Sequence, residues 1–249
     1  MATWSEHMTA WSNPPVDDVG YVPSSEMLRW STPKLSRAIN DMRRARYTGW
    51  RNHGNRWRDV MGLDELTDRD VLDFGCGVGV EALELARAGN RVALADITTA
   101  NTDLATRVLA TFNEYHTHSY LIGDVYPFVG ALNESFDVFY CNGVLHHCRW
   151  PRAIMERAHE LLPPNGEVRL MVYSDVGWRV ATSTEPPDDV ESHPEFTRFV
   201  QFFDAVGDYA DWYNRERVVA RFGDLFDVDR CEYLTPDDRY LGVVLRKRS

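Results

Sequence analysis

Short apolar runs alternate with helix-like segments through the middle of the chain. Four runs are predominantly apolar, as expected for strands buried in a parallel sheet: Val71-Leu72, Val92 to Ala95, Val138 to Tyr140 and Val168 to Val172. Between them, apolar residues recur at helical spacing: Leu104, Val108, Leu109 and Phe112 in one segment, and Ile154, Ala158 and Leu161 in another. This alternation predicts an α/β domain whose helices cover a mostly parallel sheet.

The last part of the chain follows a different pattern. Val228 to Leu234 and Tyr240 to Arg246 are strand-like, and a polar segment with one proline separates them. Two such runs in succession predict an antiparallel hairpin.

Two regions lie outside this core pattern. In residues 1–63, Thr32-Pro33 predicts a helix start with Thr32 as the cap, so this region is expected to be a helical lid or cap segment. Residues 64–249 are expected to form the main domain, with an insert at 174–213 before the last helix. The insert has an apolar stripe that includes Phe199 and Phe203, which is either core packing or part of a substrate pocket.

The segment Asp73-x-Gly75-x-Gly77-x-Gly79 joins a predicted strand to a predicted helix. Glycines adopt positive φ and let a ligand approach the backbone, although a purely structural turn is also consistent with the pattern. A dinucleotide-binding turn has the spacing G-x-G-x-x-G or A. Here the third glycine comes one place early and Val80 stands where that pattern has a small residue, which argues against a dinucleotide.

An acid ends the next predicted strand. Asp96 lies about twenty residues after the first glycine, where a carboxylate accepts hydrogen bonds from both ribose hydroxyls of a nucleoside cofactor. Nicotinamide and adenosylmethionine enzymes share this acid. Its structural alternative is a cap for the helix that begins near Thr98.

The motifs that follow decide between these cofactors. In order they are Tyr120 to Val125, Phe136 to Gly143, Val144-Leu145-His146-His147, and Pro163 to Gly166 before a strand from Glu167 to Tyr173. With the acid-led glycine turn, this order resembles the class I S-adenosylmethionine-dependent methyltransferases, and in particular small-molecule methyltransferases of the ubiquinone and menaquinone biosynthesis type. The resemblance covers roughly residues 71–173. It implies a Rossmann-like fold with a seven-stranded, mostly parallel sheet that ends in an antiparallel hairpin, and S-adenosylmethionine as cofactor.

The resemblance also implies the cofactor-binding residues. The acid matching Asp124 would meet the adenine amino group, and Val125 would cover the ring. The full expected set is Asp73, Gly75, Cys76, Gly77, Gly79, Asp96, Ile97, Asp124, Val125 and Asn142.

Methyl transfer from a sulfonium is an in-line displacement, in which the protein supplies alignment, desolvation and, for a weakly acidic nucleophile, a base. His146 and His147 are the candidate bases, because they follow the fourth strand, whose carboxyl end faces the cofactor in this fold. For each, a structural histidine in the loop is the alternative. The candidate substrate-binding residues are Tyr21, Tyr47, His53, Tyr173 and Trp178.

Charge is unevenly distributed. The formal net charge is −11, yet nine basic residues stand between positions 29 and 58 against one acid, Asp41. They are Arg29, Lys34, Arg37, Arg43, Arg44, Arg46, Arg51, Arg56 and Arg58. The segment is either a solvated helix face that balances the acidic remainder, or a lid that presents guanidinium groups to an anionic substrate.

Composition narrows the function classes. Four cysteines without a C-x-x-C pair, no leader-like amino terminus and no long apolar stretch favour a cytoplasmic protein without a metal site or membrane partner. The position after the fourth strand reads Cys141-Asn142-Gly143-Val144, which lacks the Asn- or Asp-Pro-Pro motif of methyltransferases that modify exocyclic amino groups of nucleic-acid bases. The low isoelectric point of about 5.2 does not suit duplex binding.

The leading hypothesis is therefore methyl transfer from S-adenosylmethionine to an oxygen, nitrogen or carbon atom of a small aromatic or anionic metabolite. One alternative acceptor is a nucleotide or RNA, bound through the Arg29 to Arg58 segment. Another alternative is a non-catalytic module that binds an adenosyl ligand. The sequence carries no indication of oligomeric state.

Overall fold

The computed structural model describes residues 4–16, 20–122, 135–204 and 207–248. Within these residues, seven strands form one sheet in the order β5-β4-β3-β6-β7-β9-β8, and two short strands form a separate hairpin. The sheet strands are β3 (Asp70–Phe74), β4 (Arg91–Asp96), β5 (Ser119–Leu121), β6 (Val138–Asn142), β7 (Glu167–Tyr173), β8 (Phe226–Tyr233) and β9 (Tyr240–Lys247). The separate pair is β1 (Pro15–Val16) and β2 (Gly20–Tyr21).

The pairing follows the predicted mixed pattern. β3, β4, β5, β6 and β7 are mutually parallel, whereas β9 is antiparallel to both β7 and β8. The predicted α/β fold, with a mostly parallel sheet that ends in an antiparallel hairpin, is confirmed.

Ten α-helices surround the sheet in the described part of the chain. They are α1 (Trp4–Trp11), α2 (Ser24–Met27), α3 (Thr32–Tyr47), α4 (Arg56–Val60), α5 (Val80–Arg87), α6 (Thr99–Thr111), α7 (Pro151–Leu161), α8 (Asp175–Thr182), α9 (Phe196–Phe203) and α10 (Arg215–Phe222). Two 3₁₀ segments, Trp50–Asn55 and Leu145–His147, lie between them.

Local capping explains where several helices begin. The Thr98 hydroxyl accepts a hydrogen bond from Asn101 N at 3.2 Å, and Asn214 Oδ1 accepts one from Arg217 N at 2.9 Å. For α3, the prediction of Thr32 as the cap was wrong by one residue. Ser31 is the cap, since its backbone is extended and its hydroxyl accepts from Lys34 N.

The sheet is buried on both faces. On one face, Val71 and Leu94 pack in a cluster with α3, α5 and α6; on the other, Leu72 and Phe139 pack with α7 and α10. On α10, Val218 and Phe222 are buried, whereas the side chain of Val219 is 48% exposed.

The two regions outside the core pattern pack differently. Leu35, Ile39 and Met42 of α3 are part of the main core, so the amino-terminal region is packed onto the sheet domain. The insert has its own apolar cluster, in which Trp178 and Phe199 are fully buried. The boundary between a segment at 1–63 and a domain at 64–249 stays a prediction. No helix in the described ranges has the length and apolar character needed to cross a bilayer.

Candidate active site

A cavity of about 470 Å³ lies at the carboxyl ends of β3, β4, β6 and β7. The glycine turn after β3 and the residues after β4 and β6 form one half of its wall. Residues of the amino-terminal region, the insert and β9 form the other half. This is the size of a small-molecule pocket, at the end of a parallel sheet where such ligands bind.

The glycine turn leaves open space beside the backbone. Gly75, Gly77 and Gly79 all have positive φ. A Cβ at Gly77 would meet nothing closer than Gly75 O at 4.0 Å, and Gly77 lines the cavity. A ligand therefore has direct access to the main chain at this point.

Asp96 is held at the cavity wall by the same turn. One carboxylate oxygen accepts from Gly77 N at 2.9 Å, and the other accepts from Asn101 Nδ2 at 2.8 Å and Thr98 N at 3.2 Å. Burial raises the pKa of Asp96 and these hydrogen bonds oppose the increase. Because a carboxylate has about four acceptor positions, capacity for a ligand hydroxyl remains.

Apolar and amide groups complete this half of the cavity. Ile97 and Ile122 line it, and so does Asn142 at the end of β6. The Asn142 Oδ1 atom is buried and has no hydrogen-bond partner among the described residues. A buried acceptor of this kind is satisfied when a ligand donates to it.

In the other half, His146 is fully buried and lines the cavity. Its ring lies 3.7 Å from the ring of Tyr173 and 4.1 Å from that of His147. Neither of its nitrogens has a hydrogen-bond partner in the described part of the chain. Burial, with the nearby His147, lowers its pKa well below the usual histidine value, so the ring is neutral at neutral pH.

Asp204, at the end of α9, joins several polar groups beside His146. Its carboxylate accepts hydrogen bonds from the Tyr173 hydroxyl and, at 3.5 Å, from the Tyr21 hydroxyl. His147 Nε2 lies 3.3 Å from the same carboxylate, while His147 Nδ1 is 2.8 Å from the Tyr209 carbonyl oxygen. Burial raises the pKa of Tyr173, so its phenol stays protonated and donates.

The sequence of this chain matches a known protein family. The sequence profile of a family described as "Methyltransferase domain" matches residues 42–210, more than half of the chain. The chain belongs to this methyltransferase family. Family and fold together place it among the class I S-adenosylmethionine-dependent methyltransferases, whose cofactor is S-adenosylmethionine.

Individual relatives are similar to this chain over less than half of its length. The methyltransferase is 33% identical over 101 residues to a ubiquinone biosynthesis O-methyltransferase of Psychrobacter cryohalolentis, which covers 41% of this chain and 39% of that protein. It is 30% identical over 128 residues to a tRNA U34 carboxymethyltransferase of Klebsiella pneumoniae, covering 49% of this chain and 36% of the other. The chain thus spans about two fifths of the length of the curated relatives it matches.

Solved structures support the fold. The N-methyltransferase NodS of Bradyrhizobium japonicum, determined with S-adenosylhomocysteine, aligns with a TM-score of 0.54 and 16% identity. The alignment covers 80% of this chain and 86% of NodS.

The cofactor fits the residues present in this methyltransferase. The open face of Gly77, the unused acceptor capacity of Asp96 and the unpartnered Asn142 Oδ1 match the needs of a nucleoside ligand. Cys76, Gly75 and Ile97 line the same half of the cavity. The predicted Asp124 and Val125 lie outside the described residues.

Two expected cofactor residues lie behind the cavity wall. Asp73 is buried, and burial beside Glu81 and Asp96 raises its pKa well above the usual value. Gly79 faces α6, where an added Cβ would come within 2.8 Å of the Ala105 backbone. Asp73 and Gly79 therefore lie behind the turn and do not line the cavity.

Of the expected substrate-binding residues, the structure brings Tyr21 and Tyr173 to the cavity and leaves three away from it. The Tyr47 side chain is buried and donates to Glu81 Oε1 at 2.8 Å. Trp178 is fully buried against Phe199, because α8 turns that face onto α9. His53 is exposed outside the cavity.

Three arginines of the basic segment form ion pairs with the rest of the methyltransferase. Arg46 binds both carboxylate oxygens of Glu81, at 2.5 and 2.7 Å, and Arg43 and Arg58 bind Glu84. These contacts attach α3 and α4 to α5, so the charges of these three arginines serve packing.

Sequence reasoning missed Asp204 and Trp11. Trp11 lines the cavity, 4.4 Å from the His147 ring, and its Nε1 is buried without a hydrogen-bond partner among the described residues. In the sequence, Asp204 could have been recognised as an acid that directly follows the aromatic stripe of the insert. The groups of at least three His, Cys, Asp and Glu side chains that would suit a metal ion are absent from the described ranges.

Proposed function

We propose that this protein transfers a methyl group from S-adenosylmethionine to a hydroxyl oxygen of a small metabolite. The observation that supports this most strongly is the buried, neutral and unpartnered imidazole of His146 at the cavity wall. A hydroxyl is a weak nucleophile in its protonated form, and a neutral imidazole nitrogen accepts its proton.

The cofactor supplies the electrophilic methyl group on a sulfonium, and the chain supplies the rest. The glycine turn, Asp96 and Asn142 orient the donor, while the aromatic walls exclude water. When the acceptor oxygen displaces S-adenosylhomocysteine from the methyl group, a nitrogen of His146 would take up the hydroxyl proton.

The groups around His146 fix its position. Tyr173 stacks on His146 and is anchored by its hydrogen bond to Asp204. The centre of the His147 ring lies 4.1 Å from that of His146, and His147 is held by the Tyr209 carbonyl. Alignment within a rigid site contributes much of the rate in such displacements. In this proposal Asp204, Tyr173 and His147 are positioning residues for the base.

The relatives agree with an oxygen acceptor but do not select it. Ubiquinone biosynthesis O-methyltransferases of two genera, Psychrobacter and Neisseria, match this chain at 33% identity over less than half of its length. Nitrogen and carbon acceptors use the same cofactor half, so the choice of oxygen depends on His146.

The test combines binding and turnover. Calorimetry with S-adenosylhomocysteine measures the cofactor half, and transfer of labelled methyl groups into a deproteinised, nucleic-acid-free metabolite extract measures catalysis. For His146→Gln, we expect kcat to fall about a hundredfold or more, with unchanged S-adenosylhomocysteine affinity. His118→Gln is the matched control, because His118 is exposed and outside the cavity. Full activity of His146→Gln would reject the base assignment. Absence of products that carry a labelled O-methyl group would reject the proposed reaction.

A nucleotide or RNA acceptor is the second candidate, supported by the relatives named tRNA U34 carboxymethyltransferase. The ion pairs of Arg43, Arg46 and Arg58 weaken it, since these guanidinium groups are already engaged. Methylation of purified tRNA that falls steeply with added salt would favour this candidate. Cofactor binding without turnover on either acceptor class would instead indicate a non-catalytic module.

A further inference from the structure

Arg51 differs from the other arginines of the cavity. Among the described residues, three guanidinium groups line it: Arg46, Arg51 and Arg149. Arg46 is paired with Glu81, and Arg149 is paired with Asp208 at 3.0 Å and Glu191 at 3.3 Å. Within the described ranges, Arg51 has no carboxylate partner; its guanidinium lies 5.8 Å from the centre of the Tyr240 ring. Of these three arginines, Arg51 is therefore the one that is available to an anionic ligand.

The position of Tyr240 assigns Arg51 to the acceptor half. Tyr240 begins β9 and pairs with Tyr173, the last residue of β7. The glycine turn and Asp96 follow β3 and β4, and β6 separates these strands from β7 in the sheet. The cofactor half has its own arginine near the glycine turn, Arg46, which is bound to Glu81 at the start of α5.

An aromatic surface connects Arg51 with His146. Tyr240 lies 5.8 Å from Tyr173, and Tyr173 lies 3.7 Å from His146. Phe203 stacks on Tyr173 at 4.0 Å and also lines the cavity. His146 and Phe203 cover the two faces of the Tyr173 ring, so a flat ligand ring contacts Tyr173 at its edge and the other aromatic groups along the wall.

The acid of this half does not favour a cationic acceptor. Asp204 already accepts hydrogen bonds from the Tyr173 and Tyr21 hydroxyls. Its charge is thus stabilised within the protein, whereas that of Arg51 is not. The charge left for a ligand on the acceptor side is positive.

We infer that the acceptor is a small hydroxylated aromatic acid, whose carboxylate binds Arg51 and whose ring packs along Tyr240, Tyr173 and Phe203. Its hydroxyl then lies at His146. This inference depends on the proposed methyl transfer and adds to it the class of acceptor and a specificity-determining residue. A guanidinium group binds a carboxylate in a planar, charge-assisted geometry, which distinguishes an acid from its neutral amide.

The test uses matched probe pairs. Calorimetry on the protein saturated with S-adenosylhomocysteine compares 2-, 3- and 4-hydroxybenzoate and 3,4-dihydroxybenzoate with their own amides, which keep the ring and hydroxyl groups but lose the charge. We expect at least one acid to bind about tenfold or more tightly than its amide. In Arg51→Gln this preference disappears, while affinity for the amide and for S-adenosylhomocysteine is unchanged. Arg37→Gln removes the same charge from an exposed position outside the cavity and serves as the control.

Four results would overturn the inference. One is equal affinity for acids and amides in the unmodified protein. Another is a preference for acids that survives in Arg51→Gln. The third is loss of S-adenosylhomocysteine affinity in Arg51→Gln with acceptor discrimination intact, which would assign Arg51 to the cofactor. Absence of binding by every probe at millimolar concentration also rejects this acceptor class. None of these results bears on whether labelled methyl groups are transferred to hydroxyl oxygens of metabolites in the extract. Failure of the inference is therefore distinguishable from failure of the proposed function.

Discussion

At the scale of single residues, Asp96 is the clearest test of the cofactor half. Its carboxylate is oriented by Gly77 N and Asn101 Nδ2 before any ligand binds, so little is lost in ordering it on binding. Asp96→Asn keeps the shape but removes the charge and half of the acceptor capacity. We expect the affinity for S-adenosylhomocysteine, measured by calorimetry, to fall about tenfold or more.

The matched control for this substitution is Asp103→Asn. Asp103 is an exposed acid on α6, which begins just after Asp96, and it does not line the cavity. Its substitution should leave the affinity unchanged. Equal affinities of Asp96→Asn and the unmodified protein would show that Asp96 acts only as a structural cap for α6.

The two halves of the site differ in how far single residues could be predicted. Gly75, Gly77 and Asp96 lie close together in the chain and follow strand ends, so spacing alone indicates their shared edge. Tyr21 and Asp204, by contrast, are separated by 183 positions. No local pattern specifies a contact of that kind, because it depends on how the insert packs over the amino-terminal region.

At the scale of elements, the turn between β3 and α5 has little tolerance for side chains. Gly75 has φ +80, and a Cβ there would lie 2.2 Å from Val144 Cγ2, so Gly75→Ala combines backbone strain with a collision. Gly89, after α5, has φ +89 but open space around it. We expect Gly89→Ala to lower the free energy of unfolding by about 1 to 2 kcal/mol and Gly75→Ala to lower it by clearly more, as measured in urea.

A second variant separates the two causes of this loss. Gly75→Ala combined with Val144→Ala removes the closest contact, with Val144 Cγ2, but keeps the positive φ and a contact of 3.0 Å with Val144 Cβ. Relative to Val144→Ala alone, adding Gly75→Ala should therefore cost less than it does in the unmodified protein and at least as much as Gly89→Ala does. If the alanine at position 75 costs the same with and without Val144, contact with Val144 is not what requires a glycine there.

The hydrophobic periodicity of the sequence predicted the helices and strands better than it predicted which surfaces they pack against. The bounds of β7 are those predicted, Glu167 to Tyr173, and the predicted helix with Ile154, Ala158 and Leu161 is α7. Trp178, however, lies on α8, whose apolar side could face either the cavity or α9. It packs onto α9, where burial of a whole tryptophan is favourable. Helical spacing identifies an apolar face but not the surface that covers it.

At the scale of the whole molecule, the uneven charge has a structural explanation. The basic amino-terminal region contacts the acidic start of α5 through Arg43, Arg46 and Arg58, with carboxylates that are less than a tenth exposed. Breaking such a pair leaves a buried charge without a partner. The segment that looked like a nucleic-acid patch in the sequence is thus attached to the sheet domain, and it forms part of the cavity wall.

Two buried histidines make the stability of the whole protein depend on pH. Burial lowers the pKa of both His146 and His147. In the unfolded chain, histidines take up protons below about pH 6.5, whereas these two resist protonation while the protein is folded. The unfolded state therefore binds more protons as the pH falls, and the free energy of unfolding decreases. The effect of each histidine is at most about 1.4 kcal/mol per pH unit.

Comparison with a variant isolates the contribution of His146. Asp73 and Asp96, whose pKa values are raised by burial, act in the opposite direction, but they are the same in both proteins. Urea unfolding at about pH 7.5 and about pH 5.5 should show a smaller loss of stability on acidification for His146→Gln than for the unmodified chain, because glutamine does not titrate. An equal loss in the two proteins would mean that His146 accepts a proton in the folded state as readily as in the unfolded chain. Its ring would then be charged below about pH 6.5, and the neutral base required for hydroxyl methylation would be confined to higher pH.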